Sequence, residues 1–396
     1  MTQAQRFAIV GGGLAGLAAA NALATFGFEA EVFEQAPTLG EIGAGISISS
    51  QAVKALRAIG VGEKLAAMGN ASEGIQTRNM QTGEPLEFRP SPASRYGAPY
   101  YFVHRADLLN ILASGLPPAT VHLDHRLTAI EQGPSGVTLS FANGVTRQTD
   151  VVIGADGVHS VIRRALYGDD KPTYTGQSVW RSLLKGSDVP PEVLEPSGST
   201  QWWGPGCHVV SYYLRGREVV NVVTQDDTDQ WVEEGWSIPG DPDEMRASFP
   251  NPEPRLKTLL SLVTQCSRWG LFTRPLTTDW GQGHIQLIGD AAHAMLPNVG
   301  QGAAQSFEDA YTLARWLDAE RNDPAEALRQ FRRIRIPRVH GVQLASLAAA
   351  RLKHMRDRDV QKDRLAKTGG NVGFSWIWEY DPVGSWDKLP VVPAIE

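Results

Sequence analysis

The chain has 396 residues, 42% hydrophobic and 20% charged, which is the composition of a globular enzyme large enough for two domains. A formal net charge of -6 excludes a general nucleic-acid binder or a protein drawn to anionic membranes. Cys207 and Cys266 are the only cysteines, so no disulfide framework is expected, and a reducing cytoplasm is the expected compartment.

Residues 6–10 (RFAIV) read as a buried parallel strand, 14–27 as an alanine-rich helix packed closely on it, and 29–34 (EAEVFE) as a second strand. Together they predict a right-handed βαβ unit. The stretch FAIVGGGLAGLAAANALATFGF could pass for a signal peptide or membrane span. Only Arg6 offers a preceding positive charge and no convincing cleavage site follows, so a nucleotide fold is the better reading. Helices are expected over 51–69 and 104–116, and strands over 120–131, 136–142 and 145–153. From about 172 to 268 the chain is rich in Trp, Pro and alternating apolar residues, with a hairpin signal at HVVSYYLRGREVVNVV. This predicts an antiparallel sheet inserted between nucleotide-binding segments. A buried strand returns at 283–289, and an amphipathic helix covers 302–319. The pattern over 325–368 is helical and increasingly charged, and its RLKHMRDRDVQKDRL stretch is expected to be a solvated helix face. The chain shows no internal repeat and no cluster that suggests a metal site.

Three motifs carry chemistry. Gly11-x-Gly13-x-x-Gly16, with Leu14 and Ala15 inside it, follows a strand and opens a helix. Gly11 permits the tight turn, Gly13 lets backbone approach a pyrophosphate, and Gly16 allows close helix–strand contact. The phosphates would sit at the positive helix terminus. Glu34 ends the next strand, where an acid can bind ribose hydroxyls. NAD and FAD both satisfy this motif. The second motif, DVVIGADGVHSVIRRAL at 150–166, runs a buried strand into Asp156 and then a helix. Alone it is equally well a simple strand–turn–helix corner.

The third motif is GDAAHAMLPNVGQGAAQSFEDA at 289–310. Asp290 ends a strand at the rim where α/β sheets bind ligands, and its carboxylate can accept a hydrogen bond from a polyol hydroxyl. Gly300, Gln301, Gly302 and Ala303 then present backbone N–H groups at a helix start, which would stabilise the negative charge along one edge of a reduced flavin. A dehydrogenase that binds only NAD has no need of this distant second anchor. One long cofactor, FAD, fits both loops, with its adenosine end at the first and its flavin end at the second.

In this order and spacing, the motifs closely resemble group A flavoprotein aromatic hydroxylases. The likeness extends to HRADLL (104–109), EIGAGISIS (41–49), WSIPGDPDEM (236–245), PLTTDWGQGHIQLIGDAAHAMLP and the late WIWEYDPV. The nearest subgroup is that of salicylate hydroxylase, 3-hydroxybenzoate 6-hydroxylase and 6-hydroxynicotinate 3-monooxygenase. The resemblance implies an α/β chain with a Rossmann-like FAD-binding domain of the glutathione-reductase type, made from 1–73, 100–171 and 270–335. Into it is inserted an antiparallel β-sheet substrate domain from 74–99 and 172–269, and 336–396 form a C-terminal helical region. It implies FAD as cofactor, NADH or NADPH as a transient reductant, and O2 as co-substrate. A flavin C4a-hydroperoxide would then hydroxylate a small hydroxylated aromatic acid.

Carried over by position, Arg105 would reach the FAD phosphate and ribityl region, and Leu127 would contact adenine through its backbone. Gln35 stands where many relatives have arginine. Asp156 and its neighbours would serve both FAD and the visiting nicotinamide. Pro297 and the backbone of 300–302 would lie against the isoalloxazine, and His293 would be structural. Alternative readings are an epoxidase or hydroxylase of another planar ring, or a flavin-binding regulatory protein without turnover.

For the substrate, His208 and Tyr212 are the leading catalytic candidates. Four positions apart on a strand, they point to one face, and the partner strand could add Asn221. From the residues alone both are equally well satisfied core polar groups of the sheet, and it is the resemblance that favours the catalytic reading. An imidazole with an ordinary pKa near 6.5 can become acceptor or cation with modest help. Ser47 and Asn298 stand where the pyridine hydroxylase has histidines, which puts a hydroxynicotinate substrate in doubt. Arg181 could pair with a substrate carboxylate or equally be an exposed strand arginine. Trp202 and Trp203 are expected to be packing residues, one of them reaching the pocket wall. Cys207 is as plausibly an inert neighbour as a contact. Oligomeric state is not legible, and a homodimer is the default expectation.

Overall fold

The computed structural model describes residues 5–40, 43–133, 136–169, 172–195, 198–230, 238–367 and 374–394. Part of EIGAGISIS and the start of WSIPGDPDEM therefore lie outside the described residues. The chain is built on two large sheets. The first has six strands in the order Gly281–Gln282, Ile285–Leu287, Val151–Gly154, Phe7–Val10, Ala30–Phe33 and Val121–His122, parallel except for the Gly281–Gln282 edge. Phe7–Val10 and Val151–Gly154 are buried along their whole length, as continuous apolar runs covered on both faces should be. The helix Leu14–Thr25 lies on this sheet and packs against the helix Gly302–Ala319, so the two glycine turns that open these helices are brought side by side.

Several expected elements are divided. The helix expected over 51–69 is two, Ser50–Ala58 and Gly62–Met68, because Gly60 takes a left-handed conformation (φ +82°) that ends the first. The strand expected over 145–153 splits at Asp150, whose carboxylate accepts from Arg6 Nη2 at 2.9 Å. Thr146–Thr149 joins a small antiparallel sheet, while Val151–Gly154 enters the parallel one. The helical stretch 325–368 is Pro324–Lys353 followed, after a break, by Arg358–Lys367.

The second large sheet has eight strands, in the order Pro239–Gly240, Cys266–Thr273, Thr173–Lys185, Val219–Asp227, Cys207–Leu214, Gly198–Gly204, Gly74–Asn79 and Pro85–Pro90. Its pairs are antiparallel except Gly198–Gly204 with Gly74–Asn79. Period-two alternation divides its residues. Along Cys207–Leu214 the odd positions Cys207, Val209 and Tyr213 join a core with Trp180, Trp202 and the helices Pro242–Ala247 and Pro254–Ser261. The even positions His208, Val210 and Tyr212 face a cavity shared with the nucleotide-binding sheet. Trp202 thus belongs to the core and Trp203 to the cavity wall, as expected. No helix among the described residues is long and apolar enough to cross a membrane.

Candidate active site

The first glycine turn behaves as its motif demands. Gly11 has φ +106°, and a side chain there would collide with the Ala155 carbonyl, while one at Gly16 would collide with the Gly11 carbonyl. At Gly13 a side chain would meet nothing within 4 Å. That open space lies at the start of Leu14–Thr25, a helix with no side-chain N-cap, so its first N–H groups are available to an anion. Glu34 accepts hydrogen bonds from the backbone N–H groups of Gly12 (2.6 Å) and Ala36 (2.8 Å), which fixes its carboxylate beside the turn. Gln35 is exposed. Leu127 starts the strand Leu127–Gly133 shortly after His125, whose N–H donates to Glu34 O at 2.8 Å, so this segment neighbours the same turn.

The second turn packs on the first. Gly289 (φ +58°) leaves so little space that a side chain there would lie 2.9 Å from Ala15 Cβ. Asp290 follows, and its carboxylate has no hydrogen-bond partner among the described residues. The loop then forms the short turn Pro297–Val299, takes φ +63° at Gly300, and opens Gly302–Ala319, again without a side-chain cap. The Gln301 amide is used internally, donating to Ser49 Oγ (3.0 Å) and accepting from Gln51 Nε2 (2.6 Å), which leaves its backbone on the cavity.

Beneath this loop lies a buried ion network. Asp309 accepts from Gly289 N (3.0 Å), His293 Nε2 (2.6 Å) and Arg335 Nε (2.8 Å), and Glu308 accepts from Arg335 Nη1 (2.5 Å) and Arg338 Nε (2.6 Å). Burial alone would raise the Asp309 carboxyl; the charges of His293 and Arg335 bring it down to about 2. His293 is therefore a structural tie, as expected.

One cavity of about 360 Å3 joins these parts. Its lining includes Gly13, Leu14, Ala15, Arg105, Asp290, Pro297 and residues 300–303, then Ser47, Asn298, Arg181, His208 and Tyr212. Two expected contacts are arranged differently. Asp156 is turned into the helix Val161–Tyr167, accepting from Ser160 Oγ (2.6 Å) and the N–H of Val161 (2.8 Å), and its neighbours Ala155 and Gly157 line the cavity instead. Asn221 is on the predicted face but lies beneath the strand Gly45–Ile48, where its Oδ1 accepts from Gly45 N at 2.9 Å. Cys207 is on the opposite face, its thiol pushed up to about 12 chiefly by burial.

The substrate end is polar and buried. Tyr212 stacks on Phe102 (centroids 4.1 Å apart, 18° between planes), and burial pushes its phenol well above the ordinary value. His208 Nδ1 lies 2.7 Å from His354 Nε2. Burial, then the electrostatic influence of Lys353 and of neighbouring His354, holds His208 well below an ordinary histidine. Both polar atoms of the Asn298 side chain are buried without a partner, and the Ser47 hydroxyl donates to Gly300 O at 3.5 Å and interacts with the Tyr100 hydroxyl. Arg181 is not an exposed strand arginine: half-buried, it holds its guanidinium 5.1 Å from the Trp269 ring centroid.

Lys353 was expected on a solvated helix face, and this is a correction. Helix Pro324–Lys353 ends inside the site, where Lys353 is 7% exposed and Nζ donates to Asn298 O at 2.8 Å. No carboxylate pairs with it among the described residues. Burial, aided by the charge of Arg89, brings its ammonium down to about 7. His354 follows it into the interior.

Two uncapped helix starts, the open space at Gly13 and the unpartnered Asp290 make a cradle for a long dinucleotide with a polyol arm, so the residues present fit FAD. Residues 5–343 match the FAD binding domain family. The chain belongs to that family. It is an FAD-dependent monooxygenase of the aromatic-hydroxylase type, and FAD is its cofactor. It is 38% identical over 388 residues to 3-amino-4-hydroxybenzoate 2-monooxygenase of Streptomyces platensis, covering 96% of this chain and 98% of that one. It is 34% identical over 322 residues to 6-hydroxynicotinate 3-monooxygenase of Pseudomonas fluorescens (80% and 83% covered). Among solved structures, a salicylate hydroxylase substrate complex superimposes with a TM-score of 0.85 at 28% identity, covering 100% of both chains.

Proposed function

We propose that this chain uses NADH or NADPH and O2 to hydroxylate a small aromatic acid that carries a ring hydroxyl. The observation that carries this reading is the single cavity running from both glycine turns to a buried, carboxylate-free Lys353 and a buried His208. A buried cation without a protein counter-ion is costly unless a ligand supplies the anion, and a substrate carboxylate does so. The net reaction consumes substrate, O2, NAD(P)H and a proton, and yields hydroxylated product, water and NAD(P)+.

For FAD we assign the pyrophosphate to the turn of Gly11, Gly13, Leu14, Ala15 and Gly16, and the adenosine to Glu34, Gln35 and Leu127. Arg105 and Asp290 take the phosphate and ribityl region, and Pro297 with residues 300–303 the isoalloxazine. When bound and reduced, FAD supplies the activation of O2 and delivers one oxygen atom. The protein's own residues do the rest. Lys353 and Arg181 hold the carboxylate, Ser47 and Asn298 offer hydrogen bonds along the ring, and the stacked aromatic wall of Tyr212 and Phe102 excludes water. His208, kept neutral by its surroundings, accepts the proton of the ring hydroxyl and so raises electron density where oxygen is added. Sheet membership supports the division into an FAD-binding domain of three segments and an inserted substrate domain.

The relatives named above act on an aminohydroxybenzoate and on 6-hydroxynicotinate. With Ser47 and Asn298 in this pocket, a benzoate ring is the proposed substrate. The test is to screen hydroxybenzoates, aminohydroxybenzoates and hydroxynicotinates for stimulated NADH and NADPH oxidation, and to look for isotopically heavy O2 in the product. Strong stimulation by a hydroxylated benzoate with one heavy oxygen incorporated is expected. An oxidation rate indifferent to every aromatic acid would refute the reading.

A further inference from the structure

Beyond the cavity wall, hydrogen bonds continue outward from His208. His208 Nδ1 is 2.7 Å from His354 Nε2, and His354 Nδ1 is 2.6 Å from Asp227 Oδ1. His208 and His354 are buried, whereas the Asp227 side chain is 34% exposed. We propose that His208, His354 and Asp227 form a proton relay that carries the proton of the substrate's ring hydroxyl from the cavity to solvent. The inference deepens the aromatic-acid reading above and rests on it.

With a neutral His354 donating to Asp227, the chain has one direction. An ionised Asp227 can only accept, so His354 Nδ1 carries a proton and, in the neutral ring, its Nε2 is an acceptor. His208 Nδ1 then donates to it, which leaves the lone pair on His208 Nε2. That atom has no hydrogen-bond partner among the described residues, and its ring lines the cavity. When the substrate O–H breaks, the proton bonds to His208 Nε2 and the Nδ1 proton passes to His354 Nε2. The His354 Nδ1 proton passes in turn to Asp227 and then to water. Return of a proton along the same chain, when the product hydroxyl is reprotonated, restores the starting tautomers.

Physical reasons favour export over storage. An imidazolium left at His208 would be a buried charge beside Lys353, and moving the proton to a half-exposed carboxylate removes that repulsion. The outer end is held in place: Gln177 Nε2 donates to Asp227 Oδ1 (2.9 Å), and Gln225 Nε2 donates to Gln177 Oε1 (2.9 Å). The other charged groups facing the chain are Lys353 from the same helix end, Arg356 beside Asp227, and Arg181 on the neighbouring strand. Asp226 is turned to the opposite sheet face, onto Ser178 and Trp180.

The test uses FAD-loaded protein without NAD(P)H and 4-hydroxy-3-nitrobenzoate, whose phenolate absorbs visible light. Stopped-flow absorbance reads the ionisation of the bound probe directly. His354→Leu and Asp227→Asn are expected to slow phenolate formation by about tenfold or more, while the pH of half-ionisation, an equilibrium property that the path does not set, does not rise. Asp227→Glu should restore the rate. Variants that bind the probe as wild type does, yet ionise it at the same rate, would overturn the relay. Should His354→Leu fold poorly, Asp227→Asn at the surface end decides alone. A wild-type protein that neither binds the probe nor responds to any aromatic acid would overturn the substrate reading, and the relay with it.

Discussion

Replacing Lys353 by methionine should separate stability from substrate binding. The ammonium is buried with only the Asn298 carbonyl for company, and its pKa falls from 10.5 to about 7. A base whose folded pKa lies below its unfolded value destabilises the fold wherever the unfolded chain keeps the proton. The cost is full below pH of about 7 and vanishes above about 10.5. Over that interval it amounts to about 5 kcal/mol. Lys353→Met keeps the length of the side chain and removes the charge, so the ligand-free protein should gain about 2–5 kcal/mol below neutral pH. The same change removes the partner of a substrate carboxylate, worth about 2–4 kcal/mol, or roughly thirty- to a thousandfold in Kd. In wild type, binding needs the protonated lysine, so affinity should decline by up to about tenfold per pH unit above about 7; in the variant that slope should disappear. Denaturant titrations with and without a hydroxybenzoate, repeated between pH of about 6 and 9, measure all three effects. A variant less stable than wild type at about pH 6, with unchanged ligand affinity and pH slope, would refute this view of Lys353.

Four other substitutions probe the rest of the site. Asp290→Ala should weaken FAD binding by about ten- to a hundredfold through loss of a charge-assisted hydrogen bond, read by flavin fluorescence titration; wild-type affinity would contradict the anchor. His208→Ala should keep FAD but release more peroxide per NAD(P)H oxidised, whereas unchanged coupling and substrate affinity would return His208 to a structural role. Glu308→Gln leaves Arg335 and Arg338 facing too little negative charge and should cost about 3–5 kcal/mol, seen as a lower unfolding midpoint. Asp309, held at about 2, contributes stability that is complete above its ordinary pKa of 3.8 and lost as pH falls toward 2. Asp309→Asn should therefore be destabilising at neutral pH and show a flatter acid limb.

The glycine turns were legible because their requirements are local: Gly11 and Gly16 leave no room for a side chain, and Gly13 opens onto space. His208 and Tyr212 were legible because strand alternation places them together without knowledge of the register. Lys353 and His354 were not. Their run RLKHMRDRD carries charge on every side, and only the packing of helix Pro324–Lys353 against the face of the eight-stranded sheet determines which charges are buried. Asn221 shows a related limit: periodicity gave its face but not the Gly45 backbone that covers it. Asp156 likewise reads as a ligand contact in the motif, while the N–H groups of the following helix take its carboxylate.

The central claim is that one FAD bridges both glycine turns and brings its ring to the wall that holds His208 and Lys353. A crystal structure with FAD and a hydroxybenzoate tests it most directly. The account predicts pyrophosphate at the open side of Gly13, the ring against Pro297 and residues 300–303, carboxylate on Lys353, and ring hydroxyl on His208. Separate ligands in the two turns, or a flavin ring bound away from the eight-stranded sheet, would contradict it.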